Sequence, residues 1–397
     1  MPTSSGWIEV AADHQNPRSP RLKLAYDRFG GPASGKKPLI LLHGGPGEPV
    51  PVARILAGSE PGRVLLSRYD VLYFDQRGAG RSLTADERRL DQVVRHRKRY
   101  LMEQYVEDIE AIRVAVFGRD AKVTILGSSW GGYLGLGYAL AHRDRVEALI
   151  LGSFEATART CGGVCASFDR TVLGAEVLVP GLRKLMQDLR RAVAEKRLVW
   201  HRGKKDARVL EASDLIELLL PFTVKARFQQ LTATMQQLLA GDPRGQSMLD
   251  SLEMNETASA GGSLPGRATF CQELLVKPQL EALVAAPPPA LYCDQAKIAR
   301  AMLKICAPFF SERPPFDVEL QLASLKVPAL IFAGEWDPLI PWQSTARTAV
   351  RLGRASFALI DGGHTPFNEG GACLARALEG FAAQRYQVDV SCFRRTL

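Results

Sequence analysis

The sequence predicts an α/β protein: a mainly parallel sheet flanked by helices and interrupted by an inserted helical cap. Three observations carry this. Short apolar runs of strand length alternate with amphipathic stretches up to about residue 153. Each of the first three runs ends directly in a Gly-rich turn, and the same texture returns near the C-terminus after a long helical interval.

Taken in order, Pro38–Leu42 is continuous and apolar and ends in His43-Gly-Gly-Pro-Gly47. Tyr69–Phe74 ends in Asp75-Gln-Arg-Gly-Ala-Gly-Arg-Ser82, and Lys122–Leu126 ends in Gly127-Ser-Ser-Trp-Gly-Gly132. The stretch Trp130–His142 reads as a helix and Val146–Leu151 as the next strand. From about Phe154 to Pro315 the pattern turns helical, as in Leu210–Leu220 and Phe228–Leu239, with loops at Ala258–Gly266 and Pro287–Pro289. Strand texture resumes at Val327–Gly334 and Ala355–Ile360. The expected division is a first core part at 1–153, a helical cap at 154–317 and a second core part at 318–397. In open α/β sheets ligands bind beyond the carboxyl ends of the strands, so the polar, Gly-rich strand ends point to one shared site.

Composition narrows the class. With 397 residues, 46% hydrophobic and 23% charged, the chain can bury a large core, which excludes disordered and fibrous classes. No apolar stretch approaches the ~18 residues of a membrane-spanning helix, and Met1–Val10 has the marks of no signal peptide. No membrane partner is expected; the compartment is cytoplasmic, or periplasmic or secreted if a leader has been removed. The net charge of +9 is small for the length, and the basic run Arg183–Arg208 reads as a solvated helix face. No nucleic-acid motif accompanies it, so no nucleic-acid partner is expected. The seven cysteines all follow residue 160, and the Cys161/Cys165 spacing lacks the second pair of ligands a zinc site uses, so no metal is expected.

The chemistry is concentrated at the strand ends. Gly127-Ser128-Ser129-Trp130-Gly131 fits G-x-S-x-G between a strand and a helix, where a tight turn with small neighbours exposes the central hydroxyl; Ser129, in that register, is the candidate nucleophile. A hydroxyl needs a general base, and a carboxylate must fix that base's tautomer. Of the six histidines, His14, His43, His96, His142 and His201 occupy other contexts; His364, in Gly362-Gly-His-Thr-Pro366, follows the last strand. Asp337, in Gly334-Glu-Trp-Asp-Pro338, is the candidate acid, with Glu335 competing. The Gly-rich loop His43–Gly47 leaves main-chain N–H groups open to a developing negative charge. The N–H groups of Gly45 and Trp130 are the candidate oxyanion hole, with Gly44 as the alternative, while His43 braces the loop. Neither a Walker lysine nor dinucleotide spacing is present.

Together, His43-Gly-Gly-Pro-Gly47, Asp75–Ser82, Gly127–Gly132, Asp337 and Gly363-His364 resemble the proline iminopeptidase (prolyl aminopeptidase) family of α/β hydrolases over roughly 7–153 and 318–397. The order Ser129, Asp337, His364 is the order of that fold's triad, and the loop position of Asp337 resembles the family's acid. The length, the Asp13-His-Gln-Asn-Pro17 opening and the cysteines near the cap resemble the longer prolyl aminopeptidases and the secreted tripeptidyl aminopeptidases. The resemblance implies an α/β-hydrolase fold and, without cofactor, release of N-terminal residues from peptides with a free N-terminus, the cap supplying glutamates for the substrate ammonium. Glu273 matches best for that role, with Glu253, Glu256 and Glu155 as competitors, and Phe154, Phe270, Phe309 and Phe310 are apolar candidates for a proline pocket. By analogy with secreted relatives, Cys373 pairs with Cys392 and Cys271 with Cys306. Two alternatives stand beside the peptidase: a carboxylic ester hydrolase using the same triad, and a non-catalytic binding protein on a hydrolase scaffold. A serine at the elbow disfavours epoxide and haloalkane chemistry.

Overall fold

The computed structural model describes residues 2–156, 164–176, 179–202, 206–210, 228–242, 244–245, 262–287, 294–311, 316–383, 388–393 and 395–396. Their strands, in chain order, are β1 (Ser4–Ala11), β2 (Arg21–Phe29), β3 (Lys37–Leu42), β4 (Tyr69–Phe74), β5 (Val123–Ser128), β6 (Val146–Gly152), β7 (Val199–Arg202), β8 (Asp206–Val209), β9 (Ala329–Gly334), β10 (Ala355–Ile360) and β11 (Arg395–Thr396). One nine-stranded sheet runs β1-β2-β4-β3-β5-β6-β9-β10-β11. Its six central strands, β4 to β10 in that order, are parallel, and they are the six runs read as strands from the sequence. The flanking β1, β2 and β11 pair antiparallel, and β7 with β8 forms a separate hairpin.

Alternation along the central strands divides the apolar side chains between two faces. Ile40, Leu42, Leu72, Phe74, Leu149, Leu151, Ile331, Phe357 and Leu359 join one cluster with the helices Met102–Phe117 and Trp130–Ala141. Leu39, Leu41, Val71, Tyr73, Ala148, Ile150, Leu330, Phe332, Ala358 and Ile360 join another with Leu65 and the helix Gly371–Ala382. Both faces are therefore dry. The carboxyl ends of β3, β5, β9 and β10 remain as the polar edge where loops can carry chemistry.

Residues in the interval 154–317 contribute to two clusters. Cys165, Val172, Leu182, Leu185, Met186, Leu189, Met235 and Leu238 pack together with Trp336. Ala268, Cys271, Leu275, Leu280, Ala299, Cys306 and Phe309 instead join the core cluster on the Met102–Phe117 side. The basic run departs from the single helix expected. A helix spans Leu182–Ala194, burying Leu182, Leu185, Met186 and Leu189 and leaving its charges outward. It ends before Lys196, which takes φ 56°, and the chain turns into the β7–β8 hairpin, where Val199 starts a β-compatible run. Of the sequence expectations, the Leu210–Leu220 helix lies outside the described residues beyond Leu210, as do Lys204, Lys205, Glu253, Glu256, Cys161 and Cys293. The helix Phe228–Leu239 is present, and the loop expected to reach Gly266 gives way to a helix at Leu264, capped by Ser263 Oγ.

Both expected disulfides are formed: Cys271–Cys306, 35 residues apart, and Cys373–Cys392, 19 apart. Cys165 is disulfide-bonded as well. No helix among the described residues is long and apolar enough to cross a membrane.

Candidate active site

Ser129 sits between β5 and the helix Trp130–Ala141 with φ 56° and ψ −127°, a conformation that L-residues seldom adopt. The surroundings enforce it. A Cβ on Gly127 would overlap the Gly131 carbonyl oxygen, and one on Gly131 would overlap the Leu42 carbonyl oxygen, so both glycines of the motif are required by close main-chain approach. Ser129 N–H donates to Gly152 O at 3.0 Å, fixing the turn to β6, and the side chain remains partly exposed.

Across the same sheet edge, His364 Nδ1 lies 2.8 Å from Asp337 Oδ2. The second Asp337 oxygen accepts the N–H groups of Leu339 and Ile340, each at 2.9 Å, so the carboxylate is aimed by its own loop. With Asp337 ionised, the Nδ1 proton is held toward it and Nε2 is left as the basic nitrogen. Burial works against the imidazolium, but the Asp337 charge and hydrogen bond outweigh it and raise the His364 pKa above its ordinary value. The two loops are also tied to each other: Trp336 N–H donates to Gly362 O at 2.9 Å and Trp336 Nε1 to Asp361 Oδ1 at 2.7 Å. Gly363 N–H donates to Glu369 Oε2 at 2.5 Å, pinning the residue before His364. Glu335, the competing acid, is half-buried, while His364 is engaged by Asp337.

The loop after β3 faces the serine. A Cβ on Gly44 would stand 3.3 Å from Ser129 Cβ and 3.8 Å from its Oγ, so this strip of backbone borders the hydroxyl. Trp130 is the first residue of its helix, where N–H groups have no intrahelical acceptor. His43 is buried; its Nδ1 lies 2.8 Å from Gly44 O and its Nε2 accepts from Gln76 N–H at 3.3 Å. Burial lowers its pKa, so the neutral ring braces the loop. Gln76 completes the brace, donating to His43 O at 3.1 Å and accepting Trp130 Nε1–H at 2.9 Å. Gln76 lies inside the Asp75–Ser82 motif, yet its role as the strut between the two oxyanion candidates is not legible from residue type.

The rest of Asp75–Ser82 is a clamp. Arg77, fully buried, grips Asp108 through Nε at 2.7 Å and Nη2 at 2.6 Å and donates to the Ala12 and Arg99 carbonyls. His14 Nε2, within the Asp13–Pro17 opening, meets the same Asp108 at 2.8 Å. Asp75 accepts from Tyr73 Oη and from Arg81 Nε, and Ser82 Oγ closes the turn onto Asp75 O. Ser263 Oγ donates to Gly78 O at 2.6 Å, docking the Leu264–Thr269 helix on this motif.

The structure corrects the reading of Glu273. Its side chain is fully buried, with Oε1 accepting Met102 N–H at 2.8 Å and Oε2 accepting Phe316 N–H at 3.0 Å. A carboxylate whose two oxygens each hold a main-chain donor is a tie between segments, not an open receptor for an ammonium. Glu155, largely buried after β6, accepts Ser344 Oγ–H at 2.9 Å, and Arg347 Nη2 donates to that same hydroxyl. Burial raises the Glu155 pKa, with Ser344 partly opposing it. Phe154 and Phe309 are fully buried in the core cluster and Phe270 and Phe310 pack against it, which accounts for their apolarity without a substrate pocket. Among the described residues, no group of three or more His, Cys, Asp or Glu side chains is arranged to hold a metal ion.

A strand-sheet-helix scaffold with a serine elbow, a histidine–carboxylate pair and a glycine-rich loop at one sheet edge defines a hydrolase scaffold. The model of the alpha/beta hydrolase fold family matches residues 37–371, and the chain belongs to that family. Within it, the chain is similar to the proline iminopeptidase of Lactobacillus helveticus, 34% identical over 131 residues, covering 32% of this chain and 39% of the relative. It is 36% identical over 117 residues to that of Saccharolobus solfataricus, covering 29% and 32%. The match thus spans about two fifths or less of these relatives' length. The solved structure of a proline iminopeptidase from Mycobacterium smegmatis aligns with TM-score 0.51 at 15% identity over 96% of this chain and 99% of that one. VinJ aligns with the same TM-score and identity over 97% and 99%. At these identities the likeness is one of fold.

Proposed function

We propose that the chain is a serine exopeptidase that releases N-terminal residues from peptides, proline preferred or short N-terminal peptides, through an acyl-enzyme. The observation that carries this reading is the pairing of His364 with Asp337 on the sheet edge where Ser129 is held in its strained turn. The partial similarity to proline iminopeptidases supports the choice of substrate.

In this reading His364 Nε2 takes the Ser129 hydroxyl proton as Oγ attacks the first peptide carbonyl. Asp337 holds the tautomer and stabilises the imidazolium, and the main-chain N–H groups of Trp130 and Gly45, or Gly44, receive the oxyanion. His364 then protonates the leaving amine. Water, deprotonated by the same imidazole, attacks the acyl-enzyme, breaks the ester to Ser129 and frees the acyl product. No cofactor enters the scheme.

The test is hydrolysis of matched chromogenic amides, free-amine prolyl, alanyl and tripeptidyl, beside N-blocked counterparts and a short-chain ester. Cleavage confined to free amines supports the reading and sets the length released; fast ester cleavage without amide turnover overturns it. Ser129→Ala should fold as the parent does and lose nearly all turnover. Retained activity would falsify the nucleophile assignment.

A further inference from the structure

Trp336 stands one residue before Asp337 and belongs to two structures at once. Its main chain continues the ladder beyond β9: Glu335 N–H donates to Ile360 O and Trp336 N–H to Gly362 O, each at 2.9 Å. Its indole Nε1–H donates to Asp361 Oδ1 at 2.7 Å. These bonds hold the acid loop against the segment that leads into His364. The ring itself lies in the cluster whose other buried members run from Cys165 to Leu238. There the helix Val164–Ala175 presses on it: a Cβ on Gly174 would lie 2.7 Å from Trp336 Cζ3 and 3.5 Å from Cε3. Three residues earlier in that helix, Thr171 Oγ1 donates to Asp337 O at 3.3 Å. Residues three apart share a helix face, so one face of this helix lies on both Trp336 and Asp337.

The contact leaves little slack. Carbon atoms pack best at about 3.5–4.0 Å, and a ring bonded through Nε1 to Asp361 turns aside only by straining that bond. A shift of the helix therefore passes through the indole to Asp361-Gly362 and through Thr171 to the carbonyl of Asp337. Burial alone would be served by any large apolar side chain, whereas the ring donor sets the spacing between the two loops. We propose that Trp336 is a positioning residue for the His364–Asp337 pair: wedged between Gly174 and Asp361, it transmits the placement of the helix Val164–Ala175 to both loops that carry the pair. Trp336 touches no reacting atom and acts through Asp337 and His364. This rests on the proposed reading, in which the pair serves as base and acid.

The experiment compares the parent, Gly174→Ala, Trp336→Phe and the double variant by the rate of fluorophosphonate labelling at Ser129 across pH, with urea midpoints as the control for folding. Alanine is the better helix former, and the three atoms nearest its methyl group all belong to the indole. Gly174→Ala should slow labelling about tenfold or more, since a displacement of about 1 Å far from the chemistry carries such a penalty. Its acid limb should also move to lower pH, because a loosened Asp337 holds the proton on His364 less firmly. Trp336→Phe, without the ring N–H, should do the same. Its smaller ring leaves the place of Cζ3 free, so adding Gly174→Ala to it should cost nothing further. The nearby charged groups Glu155, Glu335, Arg347, Asp361 and Glu369 are unsubstituted throughout. Parental labelling in folded Gly174→Ala, slower labelling with the acid limb unmoved, or losses that simply add in the double variant overturn the proposal. If Gly174→Ala does not fold, a parental rate or acid limb in Trp336→Phe overturns it. A parent that is not labelled overturns the proposed reaction instead. The His364 ring signal, assigned by its loss in His364→Gln, then serves in an NMR titration: a midpoint that falls in the variants upholds the role of Trp336, and an unmoved one overturns it.

Discussion

Gly127 and Gly131 meet across the serine turn so closely that a Cβ on the first would overlap the carbonyl oxygen of the second. The turn has no slack to absorb a methyl group, because Gly131 is itself pressed on the carbonyl of Leu42 in β3. Gly127→Ala should therefore either displace the helix Trp130–Ala141 from β5 or prevent folding, and soluble variant should have lost fluorophosphonate labelling at Ser129. Thermal unfolding and labelling together read this out. A variant with parental stability and labelling would mean that the turn is looser than the packing implies.

The His364–Asp337 pair sets a pH dependence whose sign follows from the raised His364 pKa. His364, as the proposed base, must be neutral to act, so kcat/KM should climb with pH through a value above the ordinary 6.5 of histidine. Asp337→Asn removes the charge that raised it, so the acid limb should move to lower pH while turnover falls on the order of 10³–10⁴. For stability the sign is opposite to that for activity. A histidine whose folded-state pKa is raised contributes fully below its unfolded pKa, and the contribution is lost as pH rises through the folded one. A pH series of urea midpoints should show that loss in the parent and not in Asp337→Asn.

The parallel sheet was legible because both of its faces are buried: β3, β4, β5, β6, β9 and β10 read as apolar runs, and each carries side chains into two cores. The antiparallel margin was not. β1 buries only Val10 and contains Ser4, Ser5 and Gly6, and β2 interleaves Arg21, Lys23, Asp27 and Arg28 with its apolar residues. Their pairing depends on long-range neighbours that no local pattern carries. At the site, Ser129, Asp337 and His364 announce themselves by turn chemistry and order. Glu273 does not, because a glutamate that ties main chain and one that faces solvent have the same letter; only burial and bonding partners separate them.

The two disulfides should differ in access. Cys271 and Cys306 are buried, whereas Cys392 is exposed and Cys373 half-buried. Limited reduction of the folded protein, followed by alkylation and mass spectrometry, should therefore open Cys373–Cys392 first. Replacing both of its cysteines by serine removes a closure of 19 residues, which should cost about 3 kcal/mol if chain entropy dominates. An unchanged urea midpoint would show that the closure gives the segment 388–396 no share in global stability.

Glu273 offers a separation between structural and binding roles. In Glu273→Gln one oxygen can still accept a main-chain N–H, but the new NH₂ group must face the other, so a buried donor at Met102 or Phe316 loses its acceptor. Such an orphan costs about 1–3 kcal/mol, and since Met102 begins the helix Met102–Phe117 the penalty should appear as loss of global stability. The same substitution should leave the preference for free-amine over N-blocked substrates at its parental ratio, because the side chain is enclosed between the two segments it joins. The two readouts move oppositely under the competing account: were Glu273 the receptor for the amine, the preference would collapse while the urea midpoint held.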